Sequence, residues 1–366
     1  MKRDVVDAIA AGVASSGPRT VHIDVTNACN AACITCWDHS PLLREARPAS
    51  WKKTRIDLAA FDDLVADLSG LGSVKSVILS GMGDPLVHPD IYTMIDRVKA
   101  RGWHLTVMTN LIAADIDRLA RANVDQILVG VHGATPTAYA AFHPGWDERE
   151  FFTLCKHLRV LATTPTKVRH VQVINRDTAP DVVDMIRFAQ QFRADRVNYK
   201  LASLAGGTET CRIDETQRRW LIDDAVPRAR ALAAELGVAT NLDLFGHQLV
   251  ANVDDDSQTV PIEDVGCFMG YVYTRITASG DVLYCCNTEV KVGSLATARF
   301  AELWFGPAWQ ALRARLRRGD YFPGCARCGK FEQNVKWSRR VRDELGDVAW
   351  RDAIGNGTRT VRLRVV

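Results

Sequence analysis

Over the first 205 residues, short β-rich runs alternate with amphipathic helical stretches, and this alternation restricts the fold more than any other feature. "VHIDVT" (21–26), "VKSVILS" (74–80), "HLTVMT" (104–109), "QILVGV" (126–131), "VRHVQVI" (168–174) and "DRVNYKL" (195–201) read as strands. Helical segments lie between them, among them "IDLAAFDDLVADLSGL" (56–71) and "DIYTMIDRVKARG" (90–102). Strands separated by helices form βαβ units and a parallel sheet. Six units are fewer than the eight of a closed barrel. The pattern therefore predicts an α/β fold, an open, partial (β/α)6 TIM-type barrel. The unusual polar residues follow the strands: a cysteine cluster after the first, "GMGDP" (81–85) after the second, Thr109–Asn110 after the third, His132–Gly133 after the fourth, Asn175 after the fifth and Lys200 near the end of the sixth. In a parallel α/β barrel these ends share one rim, where active sites are built.

After residue 205 the alternation stops. Residues 215–237 read as helix that Pro227 bends or breaks, and 251–266 as a polar linker. Residues 271–277 and 281–286 read as a β-hairpin with Gly280 at its turn, and a helix around 299–318 leads to "CARCGK" (325–330). The expected organisation is an arm (1–20), the barrel (21–205), a helical connector and linker (206–260), and a C-terminal domain of hairpin plus helices (261–366). The most basic stretch, "RARLRRGD" (313–320), reads as a solvated helix face or an anion-docking patch.

Apolar residues make up 47% and charged residues 24%, which suits a globular core. A net charge of +3 and the lack of an aromatic-basic pattern argue against a nucleic-acid partner. No apolar segment approaches the roughly 20 residues of a membrane span, and the N-terminus does not read as an export signal. A cytoplasmic location follows as the expectation, and there ten cysteines call for metals or catalysis before disulfides.

Cys29, Cys33 and Cys36 fall within "ACNAACITCWDH". Zinc with a missing ligand and coincidental buried thiols are two readings. A third is a four-iron cubane held by three thiolates, one iron keeping an open position. C-x3-C-x2-C directly after a first strand resembles the radical SAM enzymes. In that family the open iron is chelated by S-adenosylmethionine, which is cleaved to a 5′-deoxyadenosyl radical that abstracts hydrogen from substrate. The resemblance spans roughly residues 20–205. "SGMGDPLVHPD" is similar to the family's Gly-Gly-Glu-Pro segment for the methionine amino group; it places Gly81, Met82, Gly83 and Asp84 at the ligand, with Asp84 where Glu is usual. "TVMTN" matches the strand ending in Thr109–Asn110, and Asn175 is a further cofactor contact by position. Around residue 130 the family often has Ser-x-Asp-Gly. Here Gly130 and His132 stand instead, which leaves His132 as a cofactor contact or a substrate residue. Thr35 occupies the usually aromatic position, so Trp37 either covers the adenine or packs in the core.

Cys267 and Cys285 lie in C-x12-G-x4-C, followed by Cys325 and Cys328 in C-x2-C. A hairpin with four such cysteines fits a zinc ribbon or one 4Fe–4S cluster. Next to a radical SAM core it resembles the twitch domain, a shortened SPASM extension, which implies two 4Fe–4S clusters in all. Cys286 is an alternative ligand or a nearby thiol, Cys155 reads as packing, and Cys211 as inert or a hydrogen-atom donor.

A radical generator with a second redox centre suits two-electron oxidation without nicotinamide. The expected reaction is dehydrogenation of an alcohol on a small polyol, aminocyclitol or sugar-type substrate in natural-product biosynthesis, with flavodoxin or ferredoxin as reductant. His132 and Lys200 are candidate bases and Asn198 a positioning residue. Peptide modification by thioether or carbon–carbon crosslinking, epimerisation, and a non-catalytic iron–sulfur scaffold are the alternatives.

Overall fold

The computed structural model describes residues 3–250 and 260–355. In chain order the elements are α1 (Arg3–Ala11), β1 (Thr20–Thr26), α2 (Ala49–Lys52), α3 (Leu58–Gly70), β2 (Ser76–Gly81), α4 (Ile91–Lys99), β3 (His104–Thr109), α5 (Ile116–Arg121), β4 (Gln126–Gly130), α6 (Pro136–Phe142), α7 (Glu148–Leu161), β5 (Lys167–Ile174), α8 (Asp184–Gln191) and β6 (Arg196–Leu201). Then follow α9 (Glu215–Trp220), α10 (Val226–Leu236), α11 (Leu242–Val250), α12 (Ile262–Val265), α13 (Met269–Val272), β7 (Tyr273–Ile276), β8 (Asp281–Leu283), β9 (Lys291–Ser294), α14 (Phe300–Phe305), α15 (Pro307–Arg317) and α16 (Phe331–Ala353). The strands order as β6-β5-β4-β3-β2-β1-β7-β8-β9. Pairing is parallel from β3 to β6 and between β1 and β7, and antiparallel across β7, β8 and β9. This is the mixed, mostly parallel sheet of a partial barrel.

The chain divides into two compact units. One comprises residues 24–55 and 78–256 and holds the rims of β2 to β6. Its core shows how the strands are oriented. Ile174, Val197, Tyr199 and Leu201 pack with Met185, Ile186 and Ala189 of α8 and with Leu221, Ala229, Leu242 and Phe245. Because side chains alternate along a strand, Val173, Asn198 and Lys200 project from the other face. The second unit comprises residues 1–23, 56–77 and 257–366 and contains β7 to β9 and α12 to α16.

Three expectations need revising. Pro227 does not break its helix. The chain runs from α9 through a π turn, Leu221–Ala225, into α10 with right-handed helical angles at both junctions, so the wider turn takes up the missing N–H. The hairpin at Gly280 gains a third strand, β9, and β7 itself pairs with β1 from Thr20↔Tyr273 to Ile23↔Ile276. The basic stretch is a solvated face only in part, at Arg318, and the rest of its charge is used within the fold. Arg313 is buried, donates to the Gly270 carbonyl (2.9 Å) and lies 4.9 Å from the Trp304 ring centre. Arg317 binds the Ile9 carbonyl and Asp352, and Arg315 pairs with Asp320. The expected linker at 251–259 lies outside the described residues. Among the described residues no helix is long and apolar enough to cross a membrane.

Candidate metal centres and ligand site

The loop after β1 brings Cys29, Cys33 and Cys36 within electrostatic reach of one another. Cys29 accepts from the Ala31 amide (3.4 Å), and Cys36 from the amides of Asp38 (3.5 Å) and His39 (3.3 Å). Burial pushes all three thiols up, Cys29 to about 12. Three half-buried soft donors that resist ionisation alone, two of them already receiving amide hydrogens, suit a cationic iron–sulfur group.

The loop is anchored by backbone. His39 Nε2 meets the Asn27 carbonyl (2.9 Å), Ser40 donates to Ile34, the Ile34 amide donates to the Phe142 carbonyl (3.0 Å), and Trp146 Nε1 donates to the Asn30 carbonyl (3.2 Å). Gly81 and Gly83 complete this anchoring. A Cβ at Gly83 would collide with the Ala28 carbonyl oxygen, and one at Gly81 with that of Thr26. The amides of Gly83 and Asp84 donate to these same two carbonyls. These glycines therefore permit backbone-to-backbone packing against the cysteine loop, a purpose beyond the ligand approach that their motif implies.

The Asp84 carboxylate is fully buried and directed inward. It accepts from Thr109 Oγ1 (2.9 Å to each oxygen), the Asn110 amide (2.7 Å) and the Leu86 amide (2.9 Å). Burial raises its pKa, and these donors oppose the rise. Asp84 thus ties the rim of β2 to that of β3, and the backbone around Met82 is left to face a ligand. Asn110 extends the tie, donating from Nδ2 to Asn30 Oδ1 in the cysteine loop (2.9 Å).

Trp37 does not pack in the core. It is 60% exposed, with Nε1 donating to the Ser203 carbonyl (2.7 Å). A pinned, exposed indole is available to stack on a planar ligand. Asn175 is buried. Its Oδ1 accepts from Asp177, Thr178 and Thr178 Oγ1, and Nδ2 has no partner. It lines a cavity of about 210 Å³ with Leu201, Ala202, Cys211, Arg218 and Gln248. Cys211 is buried 3.9 Å from the Ile34 carbonyl, and Cys155 is buried in α7.

His132 sits at positive φ (59°), stacks on Phe142 (4.3 Å) and accepts the Val173 amide on Nδ1 (3.1 Å). Its ring fills the space over Gly130, where a Cβ would come within 2.7 Å of Nε2. Burial, then His143 and Lys200, hold its pKa well below the usual range. With Nδ1 already accepting, the neutral ring carries its proton on Nε2, so His132 is a hydrogen-bond donor and not a base. Lys200 is exposed, and Asn198 Oδ1 accepts from Arg196 Nε (3.0 Å). The sequence reading passed over Tyr139 and His143, both buried, whose Oη and Nε2 lack partners. Their signal was the aromatic spacing of "AYAAFHPGW" (138–146).

In the other unit Cys267, Cys325 and Cys328 interact electrostatically with one another and with Cys286, and Cys285 with Cys267 and Cys286. Cys285 accepts the Asn287 amide two residues on (3.4 Å), as Cys29 accepts that of Ala31; Cys267 and Cys328 are likewise bonded to the backbone of Met269 and Lys330. The backbone bond of Cys286 is instead to its own residue. Cys33 of the first loop has the same own-residue bond as Cys286, so the amide pattern does not separate Cys285 from Cys286. Three buried polar atoms near these thiols, Tyr284 Oη, Asn287 Nδ2 and Tyr321 Oη, lack partners. Soft thiols ringed by unused donors fit an iron–sulfur group with acceptor sulfides. Among the described residues no group of three metal-binding side chains is arranged to hold a single ion. None of the ten cysteines is in a disulfide.

Comparison with known proteins agrees with this geometry. The family model of the radical SAM superfamily matches residues 23–189, and that of the SPASM iron–sulfur cluster-binding domain residues 267–329. The chain is 31% identical over 113 residues to the 7-carboxy-7-deazaguanine synthase of Halobacterium salinarum, covering 31% of this chain and 39% of that protein. It is 31% identical over 173 residues to the GTP 3′,8-cyclase of Chlorobaculum tepidum, covering 46% and 49%. The matches therefore span less than half the length of these two relatives. Among solved structures, SuiB of Streptococcus suis bound to its precursor peptide SuiA aligns with TM-score 0.61 at 15% identity, over 85% of this chain and 70% of that one. This last likeness is one of fold. The chain belongs to the radical SAM superfamily, with a C-terminal SPASM-type iron–sulfur domain, and its cofactors are 4Fe–4S clusters and S-adenosylmethionine.

Proposed function

We propose that the protein is an oxidoreductase that dehydrogenates an alcohol on a small polyol, aminocyclitol or sugar-type substrate. The observation that carries this reading is that the chain has a second set of thiols, Cys267, Cys285, Cys325 and Cys328, in addition to Cys29, Cys33 and Cys36. When bound, S-adenosylmethionine and the first cluster supply a hydrogen-abstracting radical, and the second cluster supplies a place for an electron.

The protein's own groups have defined tasks in this reading. Cys29, Cys33 and Cys36 hold the first cluster. The backbone of Gly81–Gly83 cradles the methionine amino group, kept in place by Asp84, Thr109 and Asn110. Trp37 and Asn175 contact the nucleoside. The neutral His132 donates a hydrogen bond to a substrate oxygen, and Lys200 accepts the hydroxyl proton. The cavity lined by Asn175, Cys211 and Gln248 has a volume suited to a small polar molecule. A flavodoxin or ferredoxin provides the electron in a reducing, cytoplasmic setting.

The test is anaerobic turnover of the reconstituted enzyme with a panel of polyols in deuterated water. 5′-Deoxyadenosine together with a carbonyl product is the expected result. Deuterium at carbon would replace this reading with epimerisation, a modified peptide would replace it with peptide chemistry, and failure to form 5′-deoxyadenosine would reduce the protein to a scaffold.

A further inference from the structure

β1 and β6 stand at the two ends of the run β6-β5-β4-β3-β2-β1 and do not pair with each other. The loops that follow them nevertheless meet, within one compact unit. Ile34 packs with Ala202, Leu204 and Cys211 in a buried cluster. Further along both loops, Trp37 Nε1 donates to the Ser203 carbonyl (2.7 Å) and the Arg44 amide to the Gly206 carbonyl (2.8 Å). Arg44 Nη2 also pairs with Glu209 Oε1 (2.9 Å).

Gly207 is the residue this junction requires. Its φ of 124° disfavours any side chain, and an added Cβ would collide with the Leu42 carbonyl oxygen. Its amide donates to Glu209 Oε2 (2.7 Å), so one carboxylate serves both loops. Buried Thr208 closes the same turn, its Oγ1 accepting from the Ala205 amide (3.0 Å) and donating to the Ala205 carbonyl (2.9 Å). The ion pair itself contributes little, since the Arg44 side chain is 72% exposed. Backbone contact carries the junction.

What the junction steadies is Trp37. This residue directly follows Cys36, and its exposed ring is tied at the nitrogen to the Ser203 carbonyl. A ring tied at one point keeps its orientation only if the acceptor is held. Ser203 leads into the turn that Gly207, Thr208 and Glu209 fold onto residues 42–44.

We propose that Gly207 and Glu209 are positioning residues for S-adenosylmethionine. They hold the loop after β6 against the loop after β1 and thereby fix the Trp37 ring for stacking on the nucleoside. The inference rests on the assignment of Trp37 to the nucleoside and is independent of which substrate is oxidised.

The experiment uses the full chain with its clusters reconstituted and kept oxidised, so that the nucleotide binds without being cleaved. Equilibrium dialysis measures the affinity for S-adenosylmethionine. Trp37→Ala is expected to weaken binding about tenfold, as loss of a stacked base does. Gly207→Ala is expected to weaken it to a similar extent. The double variant should bind no more weakly than Trp37→Ala alone, because both substitutions remove the same contact. Glu209→Ala should follow Gly207→Ala, whereas Glu209→Gln, which keeps an acceptor for the Gly207 amide, should bind like the parent. Iron and sulfide content shows which variants load the first cluster, and Glu209→Ala takes the place of Gly207→Ala in both comparisons if the latter does not. Parent-like affinity in the loaded variant overturns the proposal, as does a double variant about tenfold weaker than Trp37→Ala. If Trp37→Ala itself binds like the parent, the assignment of Trp37 falls and the inference with it. If Trp37→Ala is weakened and the loaded turn variant is not, the inference alone falls.

Discussion

Single residues hold the ligand turn and the cysteine loop together. Gly83→Ala would drive a methyl group into the Ala28 carbonyl, which backbone on both sides keeps from moving. A loss of about 3 kcal/mol is expected, read as a lower denaturation midpoint, together with loss of iron from the first cluster. Met82→Ala, whose neighbours keep the turn, serves as the control and is expected to retain that iron. His170 shows a different dependence. It is fully buried, its two ring nitrogens have no partner, and burial holds its pKa down at about 3. A group whose folded pKa lies below its unfolded value of about 6.5 takes up a proton more readily when unfolded, so stability falls as pH drops below 6.5. Between pH 7 and pH 5 this one ring is expected to cost about 2 kcal/mol. His170→Leu should flatten that slope by a similar amount in urea titrations at the two pH values. Neither effect is visible in sequence alone: a glycine does not disclose which carbonyl it faces, and histidine in a strand reads as an ordinary polar residue.

At the scale of elements, α15 separates structural from solvated charge. Arg313 lies among Trp304, Trp309 and Tyr271 with its Nε on the Gly270 carbonyl, whereas Arg318 is exposed. Arg313→Ala is expected to cost about 3 kcal/mol, through lost ring contacts, a cavity and one of the two hydrogen bonds to the Gly270 carbonyl, the other coming from Trp309 Nε1. Arg318→Ala should change stability by less than about 0.5 kcal/mol. Thermal denaturation of the two variants side by side checks this. In α6, Thr135 caps the first turn through the Ala138 amide (3.2 Å), and the far end presents Phe142 to the cysteine loop. Thr135→Ala is expected to weaken the helix by about 1 kcal/mol. All six strands of the barrel could be read from their alternation, because burial on one face forces that period. The π turn before Pro227, the third strand β9 and the burial of Arg313 could not, because each depends on partners distant in sequence.

At the scale of the whole molecule, the unit that carries the second thiol set is assembled from three stretches of chain. α1 packs on α16, α3 on α14, and β7 pairs with the first half of β1. A fragment of residues 257–366 alone would lack α1, α3 and that strand, and circular dichroism should find it largely unfolded, with iron binding abolished. The motifs located both sets of thiols in the sequence, since ligand spacing is local. The interleaving of the chain around them was hidden, because a parallel strand pairing between residues 20–23 and 273–276 leaves no trace in either segment. The glycine turn pressed onto residues 26–28 has one further consequence. The cysteine loop and the glycine turn are one continuous piece of packed backbone, so a side chain added at Gly81 or Gly83 is expected to displace both together and not the turn alone.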